Sequence, residues 1–234
     1  MFNDQFSVMI LAAGYGKRLK PITNNLPKPL IKIGKKNMLQ NTIDHLIKLN
    51  FNEIVINTHY FPEKIKEFIK EYYPKKNIFL SYEKELLNTG GGVKNAIPFF
   101  KKDKILVLNS DIYWNENNIE DILSLMKKFD EKQKCRMLLI SKDKAHGIYN
   151  NYGDFIIKNG LIKRYEINCK IFFFAGAQII NTNVLKNHAQ NKFSFNIIWD
   201  ELIDKKLLYG DIMKSSWYHV GDIKGLEEAK KILT

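Results

Sequence analysis

Between Leu11 and Pro29 the chain carries a run whose residue types suit the holding of a phosphate chain: Leu11-Ala12-Ala13-Gly14-Tyr15-Gly16-Lys17-Arg18-Leu19-Lys20-Pro21, then Pro27-Lys28-Pro29. Small residues after an apolar strand let the backbone come close to an anion, and Gly14 and Gly16 free the turn to aim its N–H groups inward. Lys17, Arg18 and Lys28 place positive charge at fixed offsets from that turn. The pattern is not a dinucleotide fingerprint, because Leu19 stands where a third glycine would be, and no Gly-Lys-Ser/Thr follows as in a P-loop. A glycine-rich strand-to-helix turn with surface lysines is the dull alternative. Arg18, Lys28 and the Pro-Lys-Pro clamp weigh against it.

The elements that must position these residues show in the hydrophobic pattern. The run from Ser7 to Ala12 is almost wholly apolar, as a strand buried on both faces is. A helix with Leu39, Ile43, Leu46 and Ile47 on one face follows, then a strand at 53–57 and a helix from Pro62 that packs Ile65, Phe68, Ile69 and Tyr72. A strand at 78–82 leads to Gly90-Gly91-Gly92, a short helix to residue 100, a strand at 104–108 and a helix at 117–129. Strands alternating with helices predict an α/β fold, Rossmann-like, with three layers and a mixed, mostly parallel sheet whose ligand lies at the carboxyl ends of the strands. Past residue 130 or so the pattern turns strand-rich, at 137–140, 154–158, 161–165 and 171–180. Asn150-Asn151-Tyr152-Gly153 and Asn159-Gly160 supply turn signals there, the latter a hairpin signal. Helices at 196–206 and 223–233 close the chain. The expectation is one domain over 1–234, a nucleotide-binding front half and a more antiparallel back half that shapes a second pocket.

Composition narrows the classes. With 234 residues and 45% hydrophobic content the chain can bury a core, which excludes a disordered tail protein. There is no apolar run of about 18 residues, and Met1 to Ser7 carries no Lys or Arg, so neither a membrane span nor a secretory signal is expected. Cys135 and Cys169 are too few for a disulfide scaffold, and a cytoplasmic location is the reading. The net charge of +12 raises a nucleic-acid role, but only three basic residues are arginines and the lysines are scattered rather than striped. Anionic small-molecule substrates account for the same charge.

The run at 11–29 resembles the signature of sugar-1-phosphate nucleotidyltransferases, and later segments agree over nearly the whole chain. Leu87-Asn88-Thr89-Gly90-Gly91-Gly92 resembles the second nucleotide loop, Asn109-Ser110-Asp111 the metal motif, Phe174-Ala175-Gly176 the sugar-pocket strand, and Trp217-Tyr218-His219-Val220-Gly221-Asp222 the closing motif. With Gly153-Asp154-Phe155 and no hexapeptide-repeat extension, the chain is most similar to the branch that transfers uridylyl to N-acetylmuramate-1-phosphate in peptidoglycan recycling. The resemblance implies the nucleotide-diphospho-sugar transferase fold, with nucleotide on the half up to about residue 130 and sugar on the rest. It also implies attack of a sugar-1-phosphate on the α-phosphorus of a nucleoside triphosphate, with pyrophosphate leaving. By it, Arg18, Lys28 and Asp111 are catalytic. Leu11, Ala12, Ala13, Gly14, Gly16, Lys17, Arg18, Lys28, Gly90, Gly91 and Asn109 bind nucleotide, Gly153 and Gly176 bind sugar, and Asp111 holds Mg²⁺ or Mn²⁺. Monomer and homodimer are both open, and no nucleic-acid or membrane partner is implied.

One departure bears on the metal. His219 stands where the family has a second metal-binding Asp, and Asp222 where it has Thr. Three arrangements follow: His219 ligates a softer metal, Asp222 replaces the carboxylate, or Asp111 holds Mg²⁺ with waters alone. Against these, His219 can be a hydrogen-bonding strand-end residue and Asp222 the cap of the last helix. Glu83 and Glu85 either face the base or ribose or form a solvated pair, Thr58-His59-Tyr60 follows a strand end, and Asp200 and Glu201 are candidates for polar contacts to the sugar. A mannose-1-phosphate guanylyltransferase shares every phosphate-handling residue with the uridylyl reading. A catalytically impaired nucleotide sensor, motivated by His219, is the alternative from another class.

Overall fold

The structure, a computed structural model, describes residues 2–233. Strand β1 (Ser7–Leu11) is built of side chains that alternate between two layers: Val8 and Ile10 join one apolar cluster, Met9 the other. After the loop at 12–31 a small hairpin of β2 (Lys32–Ile33) and β3 (Lys36–Asn37) leads into helix α1 (Met38–Lys48), whose start is fixed by the Asn37 side chain accepting from the Gln40 N–H at 2.7 Å. Strand β4 (Glu53–Thr58), helix α2 (Pro62–Tyr72), strand β5 (Asn77–Tyr82), helix α3 (Asn88–Ala96) and strand β6 (Lys104–Asn109) complete the front half. Strands β6, β1, β4 and β5 are neighbours in that order and all parallel, as crossover helices require. Helices α1 and α2 bury Leu39, Ile43, Ile65, Phe68 and Ile69 against one face, and α3 buries Val93 and Ala96 against the other.

Strand β7 (Ile112–Tyr113) is followed by helix α4 (Glu116–Lys128), which opens with a reciprocal cap between Asn115 and Asn118. Then come β8 (Cys135–Ser141), β9 (Ala145–His146), β10 (Phe155–Lys158), β11 (Leu161–Arg164), β12 (Phe172–Asn181), the short α5 (Asn183–Lys186), α6 (Phe195–Asp204), β13 (Leu208–Ile212), β14 (Trp217–His219) and α7 (Ile223–Leu233). One nine-stranded sheet runs β10-β11-β13-β8-β12-β6-β1-β4-β5, with helices on both faces: the expected α/β, Rossmann-like, three-layer arrangement. Strand β12 bridges the halves, antiparallel to both β6 and β8, and bulges between Phe174 and Gln178, where Gly176 takes φ +78°. Beside the main sheet, β14 pairs antiparallel with β7 and parallel with β9, which carries the closing motif to the end of β6.

Three expectations are corrected. Tyr72 is exposed and the next residue, Tyr73, is the buried one, its hydroxyl donating to Asp44 Oδ1 at 2.7 Å. Gly90, Gly91 and Gly92 lie inside α3 rather than in a loop before it. Strands β13 and β14 stand where no strand is expected from the pattern. Among the described residues no helix is long and apolar enough to cross a membrane.

Candidate active site

The carboxyl ends of β1, β4 and β6 open onto a cavity of about 420 Å³, inside the range of small-molecule sites. Its walls are the loop residues Leu11, Ala12, Ala13, Gly14, Gly16, Lys17 and Arg18; Lys28 and Pro29; Asn57 at the end of β4; Leu86, Asn88 and Thr89 at the start of α3; Asn109, Ser110 and Asp111; and Ser194 and Gly221 from the back half. The loop folds tightly because Gly16 sits in the left-handed region at φ +64°. A Cβ there would lie 2.9 Å from Thr23 Cγ2 and 3.0 Å from Lys28 Cβ, so the absence of a side chain at Gly16 is what lets Thr23 and Lys28 sit this close to the loop. The Thr23 hydroxyl donates to the Gly16 carbonyl at 2.9 Å, and Leu19, fully buried with Ile31, Met38, Val220 and Leu226, anchors the following turn. Arg18 is exposed at the cavity with no protein partner among the described residues, and Lys17 lies over the Tyr15 ring.

Asp111 lies two residues past the end of β6, just before β7. Its Oδ2 accepts from Lys28 Nζ at 2.8 Å, and His219 Nε2 is 3.4 Å from the same oxygen. Burial pushes the Asp111 carboxyl up, but the Lys28 ammonium and the His219 ring outweigh it and hold the group well below the usual carboxylate range. His219 is within reach because β14 pairs with β7 and the Val220 N–H donates to the Asp111 carbonyl at 2.8 Å. The imidazole is held parallel to Trp217, with 5° between planes, and a Cβ on Gly221 would meet its Cε1 at 2.3 Å.

The donors present fit a divalent cation. Asp111 Oδ1 is buried with no hydrogen-bond partner, and a carboxylate oxygen left so is one a cation can take up. Mg²⁺ commonly uses one or two carboxylates and completes its shell with substrate phosphates and water. Among the described residues no group of three or more His, Cys, Asp or Glu side chains converges, so a cation here would rest on Asp111 with His219 alongside. Asp222 is occupied elsewhere: its Oδ1 accepts from the Gly225 N–H at 2.9 Å, capping α7.

Of the residues singled out from sequence, the structure gathers Leu11 to Gly14, Gly16 to Arg18, Lys28, Asn109 and Asp111 around one cavity. Gly90 and Gly91 lie behind the wall: both donate their N–H to the Phe193 carbonyl at 3.0 Å, and a Cβ at Gly91 would meet the Asn191 carbonyl oxygen at 2.2 Å. Gly176 backs onto Asn109, whose Cβ is 3.1 Å from where its own would be, and Gly153 sits away from the cavity against Tyr165 and Phe172. Asp200 pairs with Arg164 at 2.6 Å, and Glu201 faces another groove. Glu83 neither faces the cavity nor meets solvent: it is 1% exposed and bonded to Asn57 and the Leu87 N–H, and burial pushes its carboxyl up. Thr89, in the segment that resembles the second nucleotide loop, does line the wall, whereas Asn57 and Ser194 had no local signal, since each joins it through tertiary contacts.

Residues 7–234 match the nucleotidyl transferase family. An N-acetylmuramate alpha-1-phosphate uridylyltransferase from Caulobacter vibrioides is 27% identical over 92% of this chain and 91% of its own length. A mannose-1-phosphate guanyltransferase from Saccharomyces cerevisiae is 31% identical over 92% of the chain, which spans 61% of that relative. Among solved structures, HddC from Yersinia pseudotuberculosis complexed with GMP-PN superposes with a TM-score of 0.78 at 22% identity, covering 98% of this chain and 100% of that one. A putative glucose-1-phosphate thymidylyltransferase from Bacillus anthracis gives 0.80 at 18%, covering 97% and 94%.

Proposed function

The chain belongs to the nucleotidyl transferase family and is a sugar-1-phosphate nucleotidyltransferase; from that premise we propose that it couples UTP to N-acetylmuramate-1-phosphate, releasing pyrophosphate. The observation that carries the reaction is the single cavity in which a glycine turn, Arg18, Lys17 and Lys28 face Asp111 at the ends of parallel strands. The end-to-end match with the uridylyltransferase supports the choice of branch. The 31% identity to the guanyltransferase supports the second reading, GTP with mannose-1-phosphate, and leaves every phosphate-handling residue in the same role.

The acceptor phosphate has a second pKa of about 6 and is largely dianionic at neutral pH, so no general base is needed. One of its oxygens bonds to the α-phosphorus as the bond to the pyrophosphate oxygen breaks, and the electron pair leaves with pyrophosphate. The protein's task is to position the reactants and to balance charge. Arg18 and Lys17 face the β- and γ-phosphates and the leaving pyrophosphate, and Lys28 turns from Asp111 to the α-phosphate. With Mg²⁺ or Mn²⁺ held at Asp111, the negative charge on the reacting phosphates is neutralised further. In this reading Asn109 serves the ribose and the back half serves the sugar, Gly176 by letting β12 back closely onto Asn109 and Gly153 from farther off, outside the cavity wall. Both substrates are metabolites of the cytoplasm, where we place the reaction, as a step of cell-wall recycling.

The test is pyrophosphate release from UTP, GTP, CTP and dTTP against the 1-phosphates of N-acetylmuramate, N-acetylglucosamine, glucose and mannose, in Mg²⁺ and in Mn²⁺, with Asp111→Ala as control. Release confined to UTP with the N-acetylmuramate form, lost in the control, is the expected outcome. Release with GTP and mannose-1-phosphate moves the assignment to the second reading. Silence throughout with nucleotide binding intact moves it to a sensor.

A further inference from the structure

The buried carboxylate of Glu83 is not in the cavity, yet two chains of hydrogen bonds lead from this residue to the two ends of the phosphate turn. Its Oε1 accepts from Asn57 Nδ2 at 2.6 Å, which leaves Asn57 Oδ1 to accept from the Ala12 N–H at 2.7 Å. Its own carbonyl faces His59 Nδ1 at 2.9 Å; a carbonyl can only accept, so that nitrogen carries the proton and Nε2 accepts from the Tyr15 hydroxyl at 3.0 Å. Ala12 and Tyr15 bracket Gly14, the point of the turn with open space where a Cβ would be. Meanwhile Oε2 accepts from the Leu87 N–H at 2.9 Å, tying the same residue to the second wall just before Asn88.

An amide can be flipped, and only one orientation of Asn57 gives Ala12 an acceptor. The carboxylate decides which: it offers oxygen only, so Nδ2 must point to it and Oδ1 to Ala12. Space for the pair depends on Gly92, where a Cβ would lie 2.6 Å from Glu83 Oε1 and 2.7 Å from Asn57 Nδ2. Packing alone would be met by any side chain of this size. The arrangement of donors is met by an acceptor-only group.

We propose that Glu83 is a positioning residue for nucleotide binding, one that sets the Asn57 amide and thereby holds the phosphate turn and the wall at Leu87 in register. This rests on the reading that the cavity takes a nucleoside triphosphate. Glu83→Gln leaves one oxygen for two N–H donors and turns an NH₂ toward them. Asn57→Asp keeps an acceptor for Ala12 but sets two carboxylates face to face. In the double variant Asn57→Asp/Glu83→Gln the polarity is reversed intact: the amide now at position 83 donates to the carboxylate now at position 57. The amide oxygen keeps the Leu87 N–H, and the carboxylate keeps the Ala12 N–H.

The experiment is calorimetric titration of UTP and GTP into wild type, both single variants and the double, with the thermal midpoint and the sugar-phosphate KM measured in parallel. Each single variant is expected to weaken binding of the accepted nucleotide about tenfold or more with the sugar-phosphate KM unchanged, and the double to return to within about threefold of wild type. A folded Glu83→Gln within twofold of wild type overturns the proposal, as does a double variant no better than the singles. If the singles do not fold, the double decides alone: folded with near-wild-type affinity it supports the proposal, and unfolded or without affinity it overturns it. A wild type that binds neither UTP nor GTP sinks the nucleotide reading itself, a different failure from an indifferent Glu83.

Discussion

One oxygen of Asp111 is shared between an ammonium at 2.8 Å and an imidazole at 3.4 Å, while its other oxygen is buried and unbonded. Lys28 thus has a resting partner it must release to reach a phosphate, and its charge matters most when the bond to pyrophosphate is breaking. Lys28→Met is therefore expected to lower kcat by about 10²–10³, the scale for removing one donor aimed at developing charge, with a smaller change in nucleotide affinity. Steady-state pyrophosphate release alongside a binding titration separates the two, and an effect on affinity alone would contradict the assignment. At Gly16 the argument is steric. Gly16→Ala forces a Cβ to about contact-breaking distance from Thr23 and Lys28 in a left-handed conformation that costs a non-glycine residue about 1 kcal/mol or more. The expected result is a lowered thermal midpoint together with nucleotide binding weakened at least tenfold, since the strain falls on the phosphate turn; unchanged binding would show the turn to be dispensable.

At the scale of elements, β13 is one of the strands that the hydrophobic pattern missed, and the reason lies in what it packs against. Its sequence, Leu208-Tyr209-Gly210-Asp211-Ile212, neither alternates nor runs apolar, because Gly210 leaves room for Ile162 and Asp211 is held by another strand. Arg136 on β8 grips Asp211 with Nε at 2.7 Å and Nη2 at 3.0 Å, and Lys128 on α4 adds a third contact at 2.9 Å. Burial alone would raise the Asp211 carboxyl, but these cations hold it below its ordinary value, so the ion pair stabilises the fold above pH 3.8 or so and that contribution is lost as pH falls through the lowered value. Asp211→Asn is expected to cost ~2 kcal/mol at neutral pH, leaving Arg136 short of a charge partner, and the gap to wild type in denaturant titrations should close below about pH 3.8. A gap that stays constant with pH would put the loss down to shape instead. The same contrast governs what was legible in the sequence. The turn at 11–18 and Asp111 could be read because their meaning lies in neighbours along the chain. The roles of Asn57, Ser194 and the three glycines of α3 could not, because they are settled by Ala12, by the Phe195 N–H donating to Thr89 across 106 positions, and by Phe193. A glycine run reads as a loop until a partner segment shows that it is a helix face pared down for close packing.

The whole molecule gathers one site from distant pieces of chain, and this has a thermodynamic consequence. The cavity wall takes residues from the β1 loop, from β4, α3 and β6, and from Ser194 and Gly221 in the back half, so an occupant touches segments that the fold alone brings together, through the pairing of β12 with β6 and β8, of β14 with β7, and the bonds of Gly90 and Gly91 to Phe193. A ligand that binds only this assembled form stabilises it by RT ln(1 + [L]/Kd), about 2.7 kcal/mol at a hundredfold excess over Kd. For a chain of this length each kcal/mol moves the midpoint by roughly 2–4 °C, so the accepted nucleotide with Mg²⁺ should raise it by about 5–10 °C. The nucleotide that turns over should shift the midpoint more than the other three at equal concentration, and Glu83→Gln should need about ten times more nucleotide for the same shift. A midpoint that does not move at concentrations saturating turnover would contradict a site that exists only in the folded chain, its walls more than 200 residues apart in sequence, from Leu11 to Gly221.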